Sequence, residues 1–578
     1  MPYPQIKDKN FIRRINKSFA AYKIPKKKKS IRQICYPKKF ELQPSQKFIA
    51  KLINPKTPYK AVLVFHRIGA GKTCTAVNTA EKWKGKRRVV VVTPAALIGN
   101  FRNELRSQCA GNTYLSERDR KNLKKYHPTS SEYREIIERS DKKIDKYYTL
   151  YSYNKFVTAA EEGSLNLRNS LLIVDEVQNM VSEFGKYYQV LHQVIHEAPS
   201  SLRIVLLSAT PMFDRPIEIA LTMNLLRLPE PIPVGKEFEN RYIKTKKRGN
   251  RYTYSVRNMD NFKQLIKGHV SYFRGAPPHA FPEGVVRYVK CPMSRFQYKS
   301  YLTVLASEDK NNEFKRLKNH KLFEDGDIVN LPNNFFIGTR VISNIAFPNK
   351  NINESGLLSL TDRHIANNGL QKYSPKFYRI IKKINRCSGT VFVYSNFKEF
   401  GGIKSFARVL DAYGYQNYLN SGEGRKRYAI WSGDEKATIK ELIKTVFNRS
   451  ENRNGSKLKV MLGSPSIKEG VSLLRVQQVH VIEPYWNQSR LDQVIGRAIR
   501  YCSHKDMPEE KRTVKVYIYL ATHPNEDETV DQYIYKLAGQ KNKLIKQFEL
   551  ALKEAAIDCD LFKHANVYPG EDDIVCER

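Results

Sequence analysis

The segment at residues 69–73, Gly-Ala-Gly-Lys-Thr, constrains the fold more than any other part of this 578-residue chain. It follows an apolar run at residues 61–65 and precedes a stretch of helical character at residues 75–83. A strand, a glycine loop and a helix in this order form a phosphate-binding loop, because the loop amides and the helix amino end face one anion. The order therefore predicts a parallel α/β sheet built around a nucleotide phosphate site.

The first position of this loop departs from the usual pattern. Walker A sequences begin with glycine, whereas this chain has His66 there, and the rest of the loop is intact. Gly69 and Gly71 permit the tight turn. Lys72 is expected to reach the β- and γ-phosphates, and Thr73 is expected to ligate Mg²⁺.

A pair of acidic residues follows about a hundred residues downstream, where the apolar run 171–174 ends in Asp175 and Glu176. At the end of a strand, Asp175 would hold Mg²⁺ through water, and Glu176 would orient and deprotonate the attacking water. The alternative is a helix cap, and the phosphate-binding lysine upstream argues against it.

Three polar residues nearby are predicted to couple nucleotide state to movement: Gln178, Ser208 and Thr210. Residues 208–210 end the next predicted strand, so their hydroxyls can bond to the Glu176 segment and relay phosphate loss. Upstream, Gln46 is predicted to read the adenine edge, since its amide both donates and accepts. The predicted nucleotide is therefore ATP.

Gln493, Arg497 and Arg500 stand at i, i+4 and i+7, so on a helix they share one face. Two guanidiniums beside an amide form a fork for a triphosphate. The alternative is a surface salt-bridge face. Supplied from a second lobe, these arginines reach the γ-phosphate only when the lobes close, which couples closure to hydrolysis. The complete predicted ATP site is Gln46, Gly69, Ala70, Gly71, Lys72, Thr73, Asp175, Glu176, Gly470, Gln493, Arg497 and Arg500.

The charge of the chain points to a polyanionic partner. Lys plus Arg number 100 and Asp plus Glu 57, a formal net charge of +43, and phosphate neutralisation drives binding of such proteins to nucleic acid. The alternative is a merely lysine-rich soluble protein. Three hydroxyl residues lie in loops at predicted strand ends: Thr93, Ser395 and Ser464. They would bind phosphates without contacting the bases; the alternative is that each is an ordinary loop with no nucleic-acid contact. Trp486 would stack a base or take a core or inter-lobe position.

Eight scattered cysteines form no C-x-x-C pair: residues 35, 74, 109, 291, 387, 502, 559 and 576. We therefore expect neither a zinc ribbon nor a disulfide framework, and a reducing compartment. No apolar run approaches the roughly 18 residues of a membrane span, and the N-terminus lacks the apolar segment of a signal peptide. The protein is expected to be soluble, intracellular and not secreted.

Short β-branched runs alternate with helix-like stretches in two blocks, a pattern typical of parallel sheets with crossover helices. The predicted strands are residues 61–65, 89–93, 171–174 and 204–208 in the first block and 390–394, 459–462, 479–483 and 514–519 in the second. The predicted division is a basic arm (1–39), an ATP-binding lobe (40–232), a linker or insertion with a basic hairpin (233–372), a second lobe (373–525) and a helical tail (526–578).

Residues 1–39 hold thirteen Lys or Arg against one acidic residue, which predicts a mobile or loosely docked arm. It would track a phosphate backbone, act as an import signal or simply be a solvated tail. Residues 242–256 predict a basic hairpin around Gly249 and Asn250, either touching a backbone or decorating the surface. Residues 531–556 predict an amphipathic helix that packs on the second lobe or binds a partner.

With these residues in place, the chain resembles superfamily 2 helicase-like ATPases over roughly residues 40–560. Finer motifs resemble the Swi/Snf-like translocase branch: Phe101 with Glu104-Leu105, residues 208–211 followed by 224–226, and residues 483–487. Closer motifs resemble the poxvirus-type nucleoside triphosphatase I and early transcription factor small subunit group of large DNA viruses. These motifs are residues 270–275, 373–376, 401–403, 496–500 with Ser503-His504, and 556–559.

This resemblance implies two RecA-like lobes and a DNA-dependent ATPase that acts with a viral RNA polymerase, in early promoter use or in transcript release. It implies ATP and Mg²⁺ as ligands and DNA rather than RNA as the favoured nucleic acid. It further implies a viral polymerase or transcription factor subunit as partner and no association with a membrane. The implied location is the virion and the host-cell cytoplasm. The resemblance also assigns the ATP-site roles described above to seven residues of this chain: Lys72, Thr73, Asp175, Glu176, Gln493, Arg497 and Arg500. Gln178 replaces the His or Asp of many relatives, which bears on coupling rather than on hydrolysis.

Three functions are compared on these grounds. The first is a duplex DNA translocase within a viral transcription apparatus. The second is a strand-separating helicase on RNA or DNA, which differs by a wedge that the sequence does not reveal. The third is a packaged structural nucleic-acid-binding protein without turnover, and the intact set of Lys72, Asp175, Glu176 and Arg500 argues against it.

Overall fold

The computed structural model describes residues 3–26, 29–126, 130–248, 251–319, 323–324, 327–328, 331–468, 471–567, 571 and 573–577. Its strands are β1 (Ala61–His66), β2 (Arg88–Thr93), β3 (Tyr148–Ser152), β4 (Ser170–Val174), β5 (Arg203–Ser208), β6 (Ile243–Arg248), β7 (Arg251–Val256), β8 (Val270–Phe273), β9 (Glu283–Pro292), β10 (Phe323–Glu324), β11 (Asp327–Ile328), β12 (Thr390–Tyr394), β13 (Gln416–Asn417), β14 (Arg427–Trp431), β15 (Val460–Gly463), β16 (Val476–Val481) and β17 (Thr513–Thr522).

The helices connect and cover these strands. They are α1 (Phe11–Ser18), α2 (Ile31–Cys35), α3 (Pro44–Leu52), α4 (Lys72–Glu81), α5 (Ile98–Leu105), α6 (Glu117–Leu123), α7 (Ser131–Asp145), α8 (Tyr153–Glu161), α9 (Lys186–Glu197), α10 (Ile217–Asn224), α11 (Gly235–Tyr242), α12 (Met259–Ile266), α13 (Arg295–Glu308), α14 (Glu313–Asn319), α15 (Ile337–Asn344), α16 (Glu354–Ser359), α17 (Asp362–Ile365), α18 (Leu370–Tyr373), α19 (Pro375–Arg386), α20 (Ile403–Ala412), α21 (Tyr418–Ser421), α22 (Ala437–Phe447), α23 (Gln488–Ile495), α24 (Val530–Glu554) and α25 (Cys559–Asn566).

Two parallel sheets define the two lobes. The first has six strands in the order β3-β2-β4-β5-β1-β8, and the second has seven in the order β13-β14-β15-β12-β16-β17-β9. Every pairing in both sheets is parallel. All eight predicted strands are present, and the predicted fold class of two parallel-sheet α/β lobes is confirmed.

The segment between the lobes contributes more than a linker. β8 pairs with β1 in the first sheet, and β9 pairs along its whole length with β17 in the second. Neither strand was predicted, since β8 has only four residues and β9 is a largely exposed edge strand of mixed polarity. The interval 233–372 thus supplies one strand to each sheet, and the five-part division of the chain stays a prediction.

The N-terminal segment is docked, so the expectation of a mobile or loosely docked arm is wrong for its described residues. Phe11, Ile12 and Ile15 of α1 are buried with Phe19, and the Phe19 ring meets Phe48 edge-on at 5.1 Å between centroids. These apolar residues recur at helical spacing inside the basic block, where the charge count obscured them.

The hairpin and the tail helix are confirmed as elements. β6 and β7 pair antiparallel from Ile243 opposite Val256 to Arg248 opposite Arg251, and the turn residues 249–250 lie outside the described part of the chain. The apolar residues that recur at helical spacing within residues 531–556 are all buried on α24: Ile534, Leu537, Leu544, Ile545, Phe548 and Leu552. The tail helix therefore packs in the core.

Three apolar clusters hold the lobes together. The largest runs from one face of the first sheet through α24 to one face of the second sheet. A second cluster joins the other face of the first sheet to α1 and α25, and a third covers the other face of the second sheet. Burial of this area is the main stabilising term, and α24 makes it continuous between the lobes.

Three disulfides correct the expectation that the cysteines form no framework. The pairs are Cys35–Cys502, Cys74–Cys109 and Cys559–Cys576. Their sequence separations of 467, 35 and 17 residues follow no motif, so the pairing depends on the tertiary fold. In the described part of the chain, no helix combines the length and apolar character needed to cross a membrane.

Candidate ATP site between the lobes

The phosphate-binding loop connects β1 to α4 as the sequence predicts. Gly69 and Gly71 have φ values of 84° and 73°, in the left-handed region that favours glycine. A Cβ on Gly71 would lie 2.6 Å from Gln46 Nε2, so the loop has no room for a side chain there. Gly71 precedes Lys72 at the start of α4, where the amino end of the helix faces the loop.

Residues from distant parts of the chain enclose this loop. A Cβ on Gly275 would lie 2.9 Å from Ala70, so the backbone after β8 packs directly on the loop. Gly69 lies against Tyr501 of the second lobe. Arg67 forms an ion pair of 2.9 Å with Glu549 on α24. The loop is thus fixed by β8, the second lobe and α24 together.

His66 belongs to a buried polar chain rather than to the phosphate turn. Its Nε2 lies 3.0 Å from Ser271 Oγ on β8, and Ser271 in turn donates to Asp558. The amide of Tyr272 donates to the other oxygen of Asp558 at 3.0 Å. Burial, with Lys72 nearby, lowers the pKa of His66 to about 3, so the imidazole is neutral. The substitution of the first loop glycine therefore ties β1 to β8 and to the segment before α25.

The acidic pair lies beside Lys72. The Lys72 Nζ is 3.4 Å from Glu176 Oε1, and Thr93 Oγ1 donates to Asp175 Oδ2 at 3.5 Å. The Tyr153 hydroxyl donates to the carbonyls of Asp175 and Glu176 at 2.8 and 2.9 Å, which holds the turn after β4. Sequence and structure therefore agree on which residues come together here.

Burial and neighbouring charges shift the pKa values of the Asp175 and Glu176 carboxyl groups in opposite directions. Burial, followed by the charge of Glu176, raises the pKa of Asp175 to about 6. Burial also acts to raise the pKa of Glu176, but Lys72, Gln178 and Arg497 outweigh it, and the net pKa lies below its ordinary value. Glu176 is thus held as a carboxylate, the form that a general base requires.

A hydrogen-bonded chain leads from Glu176 to β5. Gln178 Nε2 donates to Glu176 Oε2 at 2.6 Å, and Ser208 Oγ donates to Gln178 Oε1 at 2.7 Å. The amide of Thr210 donates to Ser208 Oγ at 3.0 Å. The contact predicted between residues 208–210 and the Glu176 segment is therefore present, while its role in coupling stays a prediction.

Gln46 touches the loop instead of facing open space. Its Nε2 donates to the Gly71 carbonyl at 3.3 Å, and its Oε1 accepts from the Gln43 amide at 2.8 Å. Both halves of the amide are thus engaged by the protein. Reading an adenine edge would require exchanging these bonds, and that role stays a prediction.

The predicted arginine helix ends earlier than expected. α23 stops at Ile495, and residues 496–499 continue as tight turns. Arg497 and Arg500 nevertheless converge, because each donates through Nη1 to the Val471 carbonyl, at 3.4 and 3.2 Å. Gln493 lies on α23 and is half-buried. The expectation of one helical face for all three is therefore wrong, and a turn brings the two guanidiniums together.

The predicted nucleic-acid residues are buried and bonded internally. Thr93 donates to Asp175, and Ser395 donates to Glu483 at 2.8 Å. Ser464 Oγ lies 3.2 Å from Ser466 Oγ. A phosphate contact by these hydroxyls would need local rearrangement, and their role stays a prediction. Gly470 lies outside the described residues.

Trp486 is a core residue in this structure. Its ring is 4 % exposed, stacks on Tyr485 at 4.1 Å and carries the buried Arg340 guanidinium 4.9 Å from its centroid. Of the alternatives open from sequence, the structure therefore shows the core position.

The residues present fit a nucleotide with Mg²⁺. The glycine cradle has no space for side chains, and Lys72, Thr73 and Asp175 supply the donor and oxygen ligands that such a group needs. The buried hydroxyl of Thr210, at the end of the chain from Glu176, finds no hydrogen-bond partner among the described residues. The chemistry of the site therefore matches a Mg²⁺–nucleotide complex.

Sequence reasoning gave no ATP-site role to Arg67, Tyr501 and Glu549, which lie beside the phosphate-binding loop, or to Tyr153, which holds the turn after β4. Gly275 and Asp558 had appeared only as parts of family motifs, without roles. No local pattern marks a residue whose partner lies far along the chain, so these could not have been found by spacing.

A strand, a phosphate-binding loop, an acidic pair and two arginines from a second parallel-sheet lobe define a P-loop NTPase of the two-lobed helicase type. Family models match at residues 38–213, for the res subunit of type III restriction enzymes, and at residues 504–577, for the C-terminal region of nucleoside triphosphatase I. The chain is 52 % identical over 578 residues to "Putative ATP-dependent RNA helicase R563" of Acanthamoeba polyphaga mimivirus, covering 100 % of this chain and 99 % of that protein. The chain therefore belongs to a family of viral helicase-like ATPases related to nucleoside triphosphatase I, and it is an ATP-hydrolysing enzyme.

The chain is also similar to a further viral relative and to a solved helicase domain. A "Termination factor NPH-I homolog" of African swine fever virus is 24 % identical over 86 % of this chain and 76 % of its own length. The helicase domain of Hef from Pyrococcus furiosus is 14 % identical, with a TM-score of 0.40, over 82 % of this chain and 94 % of that one.

Proposed function

We propose that this chain is a DNA-stimulated ATPase that translocates on duplex DNA with a viral RNA polymerase, in early initiation or in transcript release. One observation carries the motor part of this proposal: the phosphate-binding loop of the first lobe packs on the second lobe, where a Cβ on Gly69 would lie 3.3 Å from the Cβ of Tyr501, the residue after Arg500. A site assembled from both lobes changes whenever the lobes move, so hydrolysis and lobe movement are coupled.

Each residue of the site has a distinct role in ATP hydrolysis. Lys72 holds the β- and γ-phosphates, and Glu176 orients and deprotonates the attacking water. Thr73 and Asp175 would hold Mg²⁺, which would neutralise charge on the phosphates when bound. Arg497 and Arg500 stabilise the charge that develops on the transferred phosphoryl group. Gln178 and Ser208 transmit the change that follows phosphate loss from Glu176 to the loop after β5.

The relatives support the transcription part of the proposal. One relative is named as a termination factor, and the C-terminal residues 504–577 match the model of nucleoside triphosphatase I. Our proposal includes a polymerase or transcription factor subunit as partner, and a place in the virion and the host-cell cytoplasm. The second candidate, a strand-separating helicase, is favoured by the name of the mimivirus relative.

The deciding experiment is steady-state ATP hydrolysis by the full chain, alone and with single-stranded DNA, duplex DNA or RNA. We expect duplex DNA to stimulate turnover most. Stimulation by RNA alone would replace the proposal with an RNA helicase, and measurable release of a labelled strand from a duplex would replace translocation with unwinding.

A Glu176→Gln variant tests the site itself. Glutamine keeps the shape and accepts the bond from Gln178 but is no base, so nucleotide binding should persist while turnover falls by about 10²-fold or more. Fluorescent nucleotide binding and phosphate release measure the two effects. Glu162→Gln, on the exposed end of α8, is the matched control, and unchanged turnover in Glu176→Gln would place the base elsewhere.

A further inference from the structure

A cavity of about 800 Å³ opens on the second lobe where β9 ends and α13 and α19 begin. Its walls carry four cations and two aromatic rings: Arg295, Lys299, Lys372, Arg379, Phe296 and Tyr378. None of the described residues that line it is acidic. It shares no residue with the ATP site, so it is a separate feature of the lobe.

The described part of the protein offers the cations of this cavity no ion-pair partner. Arg295, Lys299 and Lys372 are exposed, and among the described residues no carboxylate pairs with them. Within the described part of the chain, Arg379 donates only to the Lys290 carbonyl, at 2.7 Å. Unpaired cations along the walls of a concave site focus a positive potential, which attracts anions.

The positive surface continues along α19. Burial lowers the pKa of Lys383, and four neighbouring cations, Arg287, Arg379, Arg386 and Lys515, lower it further. These cations come from β9, α19 and β17, and Arg379 is common to this group and to the cavity. The arrangement is therefore an extended cationic track that ends in the cavity, rather than a socket for one small anion.

The aromatic rings indicate which polyanion fits. Phe296 and Tyr378 are half-buried, and Lys372 Nζ lies 5.3 Å from the Phe296 ring centroid. A duplex hides the faces of its bases, whereas a single strand exposes them for stacking on aromatic side chains. A concave site of this size also admits a few nucleotides of a strand more readily than the side of a duplex.

We propose that this cavity and the track along α19 bind single-stranded nucleic acid, with phosphates at the cations and bases on Phe296 and Tyr378. This site goes beyond the proposed duplex translocation, because it gives the motor a second strand contact outside the cleft between the lobes. The shared chemistry of phosphate and unstacked base fits both RNA and DNA, and the test separates them.

The first test removes charge. Arg295→Ala/Lys299→Ala in the full chain should weaken binding of a short fluorescein-labelled single strand by about tenfold in fluorescence anisotropy. The slope of log K against log salt should shrink by roughly 1.4, since each phosphate contact contributes about 0.7 on single strands. Lys142→Ala/Lys143→Ala, on the exposed side of α7, removes the same charge elsewhere and is the matched control.

The second test removes stacking. Tyr378→Leu should weaken single-strand binding roughly tenfold while leaving the salt slope unchanged, because a ring makes no ion contact. Thermal unfolding of each variant establishes that it is folded. Duplex-stimulated ATP hydrolysis should stay within about twofold of the wild type in both variants, so failure here is distinct from failure of the motor proposal.

The loss in the cavity variant is measured with labelled RNA and with labelled DNA, and a loss with either one supports the site. Equal losses in the cavity variant and in the α7 control would overturn the proposal. So would loss of duplex binding to the same extent as single-strand binding. Displacement of the strand by polyglutamate as readily as by unlabelled strand would assign the cavity to an acidic protein segment instead.

Discussion

Asp558 is a fully buried carboxyl group whose two oxygens are both occupied by hydrogen bonds from β8. Through Ser271 it reaches His66, the residue that precedes the phosphate-binding loop. A buried acid with neutral donors gains little from ionising, and burial raises the pKa of Asp558 to about 7. The Asp558 side chain therefore links the C-terminal segment to the ATP site, and its pKa lies near neutral pH.

This raised pKa predicts a pH dependence of stability. Between about pH 4 and about pH 7 the folded chain binds one more proton than the unfolded chain, so the contribution of Asp558 to stability falls as pH rises. In Asp558→Asn the amide oxygen still accepts from the Tyr272 amide, the amide nitrogen donates to Ser271 Oγ, whose hydroxyl turns to His66 Nε2, and the side chain cannot ionise. Relative to the wild type, it should gain on the order of 1–3 kcal/mol in free energy of unfolding from about pH 5.5 to about pH 8.

Urea unfolding of both proteins at the two pH values measures this gain. Asp560→Asn, exposed on α25, is the control and should track the wild type at both. Parallel pH profiles for the wild type and Asp558→Asn would show that the carboxyl group keeps an ordinary pKa.

At the scale of elements, α19 is fixed by its first turn. Ser374 caps the helix by accepting from the Phe377 amide at 3.0 Å, and Pro375 occupies the first helical position. Lys376 then forms a buried ion pair of 2.6 Å with Asp531 at the start of α24, each side chain 1 % exposed. The motif at residues 373–376 therefore joins α19 to α24.

Lys376→Ala should lower the free energy of unfolding by about 3–5 kcal/mol, because it leaves the Asp531 carboxylate buried without its cation. Lys382→Ala, exposed on the same helix, should change it by less than about 0.5 kcal/mol. Denaturant titration of both variants measures the difference. A double change, Lys376→Met/Asp531→Leu, should recover much of the loss, and no recovery would mean that packing rather than charge is responsible.

At the scale of the whole molecule, the basic N-terminal segment and the second lobe are bound to each other. Cys35 at the end of α2 is joined to Cys502, two residues after Arg500, and the Tyr501 hydroxyl donates to the Ile34 carbonyl at 3.0 Å. The same segment packs on the first lobe through α1. The arm therefore spans both lobes beside the ATP site.

Removing this link should release the arm. We expect Cys35→Ser/Cys502→Ser to lower the free energy of unfolding by about 2–5 kcal/mol and to speed proteolytic cleavage near residues 20–40. Cys387→Ser removes a free cysteine and is the control. Thermal unfolding and timed proteolysis provide the readout, and cleavage as slow as in the wild type would show that packing alone holds the arm.

The sequence by itself determined the parallel sheets, the phosphate-binding loop, the acidic pair and the tail helix. Each depends on residues adjacent in the chain, where strand, turn and helix preferences act over a few positions. Only the tertiary structure decided that β8 and β9 join the sheets, that the arm docks, that a turn rather than a helix aims Arg497 and Arg500, and which cysteines pair. Those contacts join residues as far apart as 287 positions for Ser271 and Asp558 and 467 for Cys35 and Cys502. The physical reason is that such pairs form from packing of the whole chain, which no local pattern records.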